Sequence, residues 1–182
     1  MKFFAAVTIM LAFVMSAMAA DNFATKTGTI QSKATVFQAM AVTGQQALDF
    51  GFLTPGEVKS VDLLNHSTGK PVLGDETTGR FLVSAAKGAN VTLSFSTPPN
   101  LVKVGDENKT FLIDGYVYGT ARSEDNTNTA ASLTNGATVV MPDNVVSSVN
   151  SLWVFVGAAV HPLADQASGD YIQDITLTAT YN

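Results

Sequence analysis

Apolar and polar residues alternate in short runs from about residue 34 onward, and Gly, Pro, Asn and Asp separate these runs. A period of two is that of a half-buried β-strand, whose successive side chains point to opposite faces of a sheet. Many short strands with frequent turn residues are typical of an all-β sandwich. We predict nine strands, at residues 34–42, 47–53, 57–64, 79–86, 91–95, 109–118, 137–141, 152–160 and 171–181.

Two neighbouring segments alternate most clearly. Residues 79–86 and 91–95 are joined by Lys87-Gly88-Ala89-Asn90, which suits a tight turn, so we predict that they form an antiparallel hairpin. No stretch of helical period exceeds two turns, although residues 145–152 are compatible with one short helical turn. The pattern therefore predicts an antiparallel β-sandwich of about seven to nine strands, in one domain over residues 34–182.

The first 19 residues differ from the rest of the chain. Lys2 precedes an uncharged apolar run that ends in Ala17-Met18-Ala19, which is the pattern of a secretory signal peptide. We therefore expect an exported protein that begins at Ala20 and has no transmembrane anchor. The periplasm, the cell surface and the extracellular medium all remain open as its location.

Residues 20–33 form a polar, Thr-rich extension with high β-propensity and few apolar side chains. Two interpretations remain open. The extension is either a mobile N-terminus or a donor strand that pairs with a neighbouring molecule, with Phe23 and Ile30 as its apolar anchors.

Charge and cysteine content exclude several classes of function. The chain has 10 basic and 15 acidic residues, a formal net charge of −5 and no cluster of Lys or Arg, so it is poorly suited to nucleic acid. It contains no cysteine, which excludes disulfides, thiolate metal ligands and cysteine nucleophiles. A chain of 182 residues is long enough to bury a core without such crosslinks.

Candidate catalytic residues are few. His66 and His161 are the two histidines, and no nucleophile-elbow motif accompanies them. Residues 67–70 fit the S-x-x-K pattern and residues 26–28 read K-T-G, but their order is the reverse of that in serine acyl-enzymes. We therefore expect no enzymatic activity and assign no catalytic residue.

Metal and ligand sites are equally weakly indicated. The acidic loops at 106–108 and 124–126 carry hard oxygen donors without EF-hand spacing, so we expect solvated loops, with a weak Ca²⁺ site as the alternative. No glycine-rich phosphate loop is present, and no cofactor is expected. Trp153, Tyr116 and Tyr118 lie in apolar strands, where core packing is commoner than a sugar-stacking platform.

Three blocks of the sequence resemble a family of bacterial exported proteins, the domain of unknown function numbered 4402. They are residues 48–56 with LDFG and TPG, residues 79–95 with GRFLV and VTLSF, and residues 156–181 with VGA, QASGDY and TATY. The resemblance covers nearly the whole chain after residue 34, and it implies an immunoglobulin-like sandwich without an established activity. The chain departs from the family at Ala167 and near Gln173, where the family tends to have Pro and Gly.

The last predicted strand resembles that of chaperone–usher pilus subunits, which carry a penultimate aromatic residue, a glycine fourteen places from the C-terminus and alternating apolar residues between. The matching residues are Gly169, Tyr171, Ile175, Leu177, Ala179 and Tyr181. The resemblance implies that these residues form an acceptor edge, to which a periplasmic chaperone and then a donor strand of another subunit add. The chain departs from many such subunits in lacking a disulfide, and its donor candidate is less apolar than usual. Residues 34–42 are an alternative occupant of the groove within the same molecule.

The sequence thus predicts an exported structural or adhesive protein, a pilin-like subunit of a surface fibre. Its expected partners are further copies of itself or other fibre subunits. The alternative is a monomeric secreted binding module with a self-complete sandwich, whose loops take a glycan or another surface ligand.

Overall fold

The computed structural model describes residues 27–34, 36, 38–63, 76–122, 130–143 and 149–182. The chain divides into two compact units, Met1–Val36 and Phe37–Asn182. The described residues of the first unit are exposed and have no regular secondary structure. The predicted signal peptide and Phe23 lie outside the described residues, whereas Ile30 lies within them and exposes 96% of its surface.

The second unit is built from β-strands, and its described part contains no helix. The strands are β1 (Ala41–Gln46), β2 (Lys59–Val61), β3 (Gly79–Ala86), β4 (Asn90–Ser96), β5 (Asn100–Lys103), β6 (Asp106–Ala121), β7 (Ala131–Leu133), β8 (Ala137–Val140), β9 (Val149–His161), β10 (Tyr171–Ile172) and β11 (Thr176–Tyr181). The predicted all-β, antiparallel sandwich class is confirmed. The described strands number eleven instead of seven to nine, because short strands such as β5 and β7 carry too few residues to form an alternating run.

The strands form two antiparallel sheets. The larger sheet has the order β1-β3-β9-β6-β5-β10, with β2 also paired to β9 and β7 also paired to β6. The smaller sheet has the order β11-β4-β8. The long strand β9 lies centrally, because it pairs with β2, β3 and β6.

The predicted hairpin between β3 and β4 is wrong. β3 pairs with β1 and β9 in the larger sheet, whereas β4 pairs with β11 and β8 in the smaller one. The tight turn is present, since the Ala89 N–H donates to the Ala86 carbonyl at 3.1 Å and Gly88 has a φ of 66°. It carries the chain from one sheet to the other, and both strands keep their alternation because both sheets face the same core.

Two apolar clusters hold the fold together. The first lies between the sheets and includes Val83 of β3, Leu93 of β4, Val154 of β9 and Leu177 of β11. The second contains Phe50, Val61, Phe111, Ile113, Ala158 and Val160. Full burial of one Val or Leu side chain stabilises a fold by roughly 1.5–3 kcal/mol, so packing of this kind supplies the stability of a chain without disulfides.

The single strand predicted over residues 171–181 is also wrong, because it is two strands in different sheets. β10 pairs with β5 in the larger sheet, and β11 pairs with β4 in the smaller one. The two strands also pack against different apolar clusters: Tyr171 of β10 packs against the second cluster, whereas Leu177 of β11 belongs to the first. Residues 173–175 cross between the sheets.

Two predicted strands near the start of the second unit are also largely replaced by irregular chain. The strand predicted at 34–42 begins only at Ala41. The strand predicted at 47–53 is reduced to one bridge between Asp49 and Thr77.

Candidate assembly groove

β11 lies at one edge of the smaller sheet, with β4 on one side and no described strand on the other. The Asn182 N–H donates to the Asn90 carbonyl at 3.1 Å. This bond shows which residues of β11 direct their backbone groups toward β4. Alternate residues of an antiparallel strand bond to the same neighbour, so Thr178 and Thr180 face β4 with their backbone groups. Leu177 and Ala179 therefore direct their N–H and C=O groups toward the opposite, open side.

The side chains of β11 alternate as the sequence predicts. Leu177 is buried and Ala179 is partly buried, both against the first cluster, whereas the three threonines of the strand are exposed. β11 consequently presents an apolar inner face and an open hydrogen-bonding edge along the same stretch of chain.

β1 lies at the edge of the larger sheet and contacts β11, but the two strands are not hydrogen-bonded neighbours. The Tyr181 side chain connects this region: its hydroxyl accepts a hydrogen bond from the Ala86 N–H at 2.9 Å and donates one to the Gln38 carbonyl at 2.8 Å. The phenol thereby ties the end of β11 to β3 and to the segment that leads into β1. The penultimate aromatic residue was identified from the sequence, but these two contacts were not.

A cleft of about 940 Å³ lies at the other end of β11. One wall is the irregular segment 47–53, and the other is the segment 166–175. Leu101, Phe111 and Ile113 of the larger sheet also line it. We call the cleft together with the open edge of β11 the assembly groove; its open end is the cleft, and its closed end is at Tyr181, whose hydroxyl bonds to Gln38.

Two of the predicted acceptor residues shape the wall of the cleft. The Tyr171 ring packs against Phe111 with a centroid distance of 4.7 Å, and its hydroxyl donates to the Ala167 carbonyl at 2.7 Å. Gly169 has a φ of 138°, and a Cβ there would lie 2.8 Å from Cε of Lys103. The Tyr171 contacts tie the segment 166–171 to the larger sheet, and the φ of Gly169 is one that a residue with a Cβ rarely adopts.

Gly169, Tyr171 and Ile175 line the cleft, whereas Leu177, Ala179 and Tyr181 are not among its lining residues, so the structure divides the predicted acceptor residues between the cleft and the edge strand. Gly169 and Tyr171 precede the crossing between the sheets, Ile175 lies in it, and Leu177, Ala179 and Tyr181 belong to β11. The sequence does not predict the facing wall, residues 47–53, as part of the site; its LDFG motif carries only the family resemblance.

Carboxylates outnumber basic groups around the cleft. Asp49, Asp170 and Asp174 line it, and all three are exposed. Lys103 packs over Gly169, and Lys59 reaches the carbonyl of Phe52.

Lys59 is already paired, because its ammonium group forms a salt bridge with Glu76. The cleft therefore combines an apolar lining with an acidic rim.

Large apolar side chains are exposed at the rim of the cleft. Phe52 exposes 89% of its surface and Ile172 exposes 64%, and both line the cleft. Together with the apolar lining they form an exposed apolar patch, and a patch of this kind, in contrast to a single exposed side chain, is typical of a surface that binds another molecule.

The histidine candidates lie elsewhere or outside the described residues. Nε2 of His161 lies 2.8 Å from a carboxylate oxygen of Asp114, at an exposed position on β6 and β9. His66 and residues 67–70 are outside the described part of the chain.

The acidic loops give no metal centre in the described residues, among which no group of three or more His, Cys, Asp or Glu side chains converges. In the loop at 106–108, the Asp106 carboxylate accepts a hydrogen bond from the Asn108 N–H at 3.2 Å. The loop at 124–126 lies outside the described residues.

The aromatic candidates pack together. Phe95 stacks on Tyr118 at a centroid distance of 4.0 Å, and Tyr118 lies parallel to Tyr116 at 6.5 Å. The Tyr116 hydroxyl donates to the Pro98 carbonyl at 2.7 Å. Burial, followed by the neighbouring Tyr118, raises the pKa of Tyr116 to about 12. Both tyrosines pack against the first cluster, in keeping with the predicted core role, while Trp153 is half-buried.

Comparison with protein-family models and with curated proteins finds no match for this chain. The described residues also include no helix that is both long enough and apolar enough to cross a membrane.

Proposed function

We propose that this chain is an exported structural protein, a pilin-like subunit that assembles into a surface fibre by β-strand addition. In this proposal, residues 20–33 of one copy occupy the assembly groove of the next and pair with the open edge of β11. A periplasmic chaperone would cover the same edge before assembly. The observation that carries the proposal is the open hydrogen-bonding edge of Leu177 and Ala179 beside an apolar cleft.

The dimensions of the two parts are compatible. β11 has six residues and is therefore about 20 Å long, whereas a fourteen-residue extended segment spans about 46 Å. The donor segment can thus cover the whole edge and still leave residues to link the two copies. Each hydrogen bond added to the edge would contribute about 0.5–1.5 kcal/mol.

Only one of the two proposed anchors can enter the groove if the donor is a regular strand. Phe23 and Ile30 are seven positions apart, and an odd offset places two side chains on opposite faces of a strand. Ile30 is almost fully exposed in its own copy, and its burial in the groove would contribute about 2 kcal/mol. We therefore assign Ile30 as the anchor that enters the groove.

Two substitutions in the chain spanning residues 20–182 test the donor and the acceptor separately. Ile30→Asp places a charge on the donor face that would be buried. Ala179→Pro removes an N–H that faces the open side, so it leaves the β4 ladder intact and obstructs only an added strand. Val36→Asp is the donor control, because Val36 is 92% exposed and lies outside residues 20–33.

We expect the wild-type chain and the Val36→Asp control to form polymers, and the other two variants to remain folded monomers. Light scattering during gel filtration gives the mass, circular dichroism checks the fold, and negative-stain microscopy shows any fibres. Assembly of both Ile30→Asp and Ala179→Pro at the wild-type level would refute strand addition. A wild-type chain that stays monomeric at high concentration would favour a self-complete binding module instead.

A further inference from the structure

We infer that charge selects which strand fills the assembly groove. The acidic rim of the cleft favours the segment of residues 20–33 from a second copy, because that segment carries a net positive charge. The inference rests on the proposed strand addition and names what makes that strand the preferred occupant. The groove alone would accept any extended segment that carries one apolar side chain, because backbone hydrogen bonds are independent of sequence.

The first step is the charge of the cleft. Its lining includes Asp49, Asp170 and Asp174, which are exposed. Lys103 is the basic residue that packs next to this wall, over Gly169. Because Lys59 at the rim is neutralised by Glu76, negative charge remains in excess at the open end of the groove.

The second step is the charge of the segment. Residues 20–33 contain Lys26 and Lys33 against a single acid, Asp21, although the whole chain carries a net charge of −5. Lys26 lies four positions from Ile30, so the two side chains point to the same face of a strand. A strand that directs Ile30 into the groove therefore directs Lys26 toward the same side, about 13 Å along the strand.

Charges at the exposed rim of an interface mainly change the rate of association and its dependence on salt. Opposite charges on two surfaces raise the association rate by a factor of 10 or more at low ionic strength, and salt screens this effect. An acidic segment of the same length, with the same backbone hydrogen bonds, would enter the groove more slowly. The net negative charge of the remaining surface would also oppose mispaired contacts between copies.

The test uses charge variants of the chain spanning residues 20–182. Asp174→Asn and Lys26→Glu each reduce the attraction, and Asp174→Lys combined with Lys26→Glu restores it with reversed signs. Asp114→Asn is the control: it removes the same charge as Asp174→Asn, but Asp114 follows the buried Ile113 and faces outward from the larger sheet.

Assembly is followed by light scattering at about 20 mM and about 500 mM NaCl, which changes the screening length severalfold. At low salt, we expect Lys26→Glu to slow assembly about tenfold and Asp174→Asn to slow it severalfold. We expect the double variant Asp174→Lys with Lys26→Glu to recover most of the wild-type assembly rate. The control Asp114→Asn should assemble at the wild-type rate. High salt should bring all rates together.

The outcomes separate this inference from the proposed function. Unchanged rates in Lys26→Glu and Asp174→Asn, together with loss of assembly in Ile30→Asp, would refute charge selection and leave strand addition in place. Wild-type assembly by Ile30→Asp and Ala179→Pro would refute both. If a labelled peptide of residues 20–33 does not bind and the wild-type chain stays monomeric, the groove does not take this segment, and both the charge selection and the strand addition are wrong.

Discussion

Removal of one hydroxyl group at the closed end of the assembly groove should measurably destabilise the fold. The Tyr181 hydroxyl accepts from the Ala86 N–H at 2.9 Å and donates to the Gln38 carbonyl at 2.8 Å. Tyr181→Phe removes both hydrogen bonds and retains the ring, so the packing of the ring against the first cluster is preserved.

The expected loss follows from these two contacts. Each hydrogen bond contributes about 0.5–1.5 kcal/mol to stability, and a buried donor left without an acceptor costs more. Ala86 is half-buried, so water can replace part of what its N–H loses. We therefore expect the free energy of unfolding to fall by about 2 kcal/mol, which corresponds to a urea midpoint about 1 M lower.

Urea unfolding can be followed through Trp153, which is the single tryptophan and lies half-buried in the central strand β9. Thr178→Val is the matched control, because it removes a hydroxyl from the exposed face of the same strand and should change stability by less than about 0.5 kcal/mol. A loss for Tyr181→Phe no greater than that of Thr178→Val would refute the role assigned to the phenol.

Two further predictions concern the wall of the cleft and the aromatic stack. Gly169→Ala should cost about 2–3 kcal/mol in urea unfolding, because its φ of 138° lies well outside the left-handed region that residues with a Cβ can adopt, while the flexible end of Lys103 can move away from the added Cβ. Gly105→Ala, with a φ of 82° near that region and open space around it, should cost about 1 kcal/mol; equal losses would contradict this. Tyr116 keeps its proton in the folded state until about pH 12, whereas in the unfolded chain it ionises near pH 10. Stability should therefore fall as pH rises from about 10 to 12, and Tyr116→Phe should lose less between pH 8 and pH 11; an equal fall in both urea midpoints would exclude this cause.

The fold class was predictable because alternation and turn residues are local signals. β3, β4 and β9 all follow the predicted runs within a few residues. Their partners were not predictable in the same way, since the alternation of β3 and β4 is the same whether they pair together or lie in opposite sheets. The turn at Gly88 was recognised, but a turn alone does not determine whether the next strand stays in the same sheet.

Only one side of the assembly groove, the strand β11, could be predicted from the sequence. Leu177, Ala179 and Tyr181 lie on β11 with the alternation read from the sequence. The change of sheet between Ile172 and Thr176 was missed, because apolar spacing continues through it while the hydrogen-bonding partner changes. The facing wall at residues 47–53 is irregular chain held by long-range contacts, which leave no periodic signal.

The central position of β9 has a consequence for how the molecule reaches its native state. β9 pairs with β2, β3 and β6, which all precede it in the chain. The contacts at Tyr181 join residues that are 95 and 143 positions apart. Such high contact order predicts slow folding, on a scale of milliseconds to seconds. During synthesis or export from the N-terminus, the apolar faces of β3 and β6 would stay uncovered until β9 emerged. The chain is most prone to aggregate during this interval.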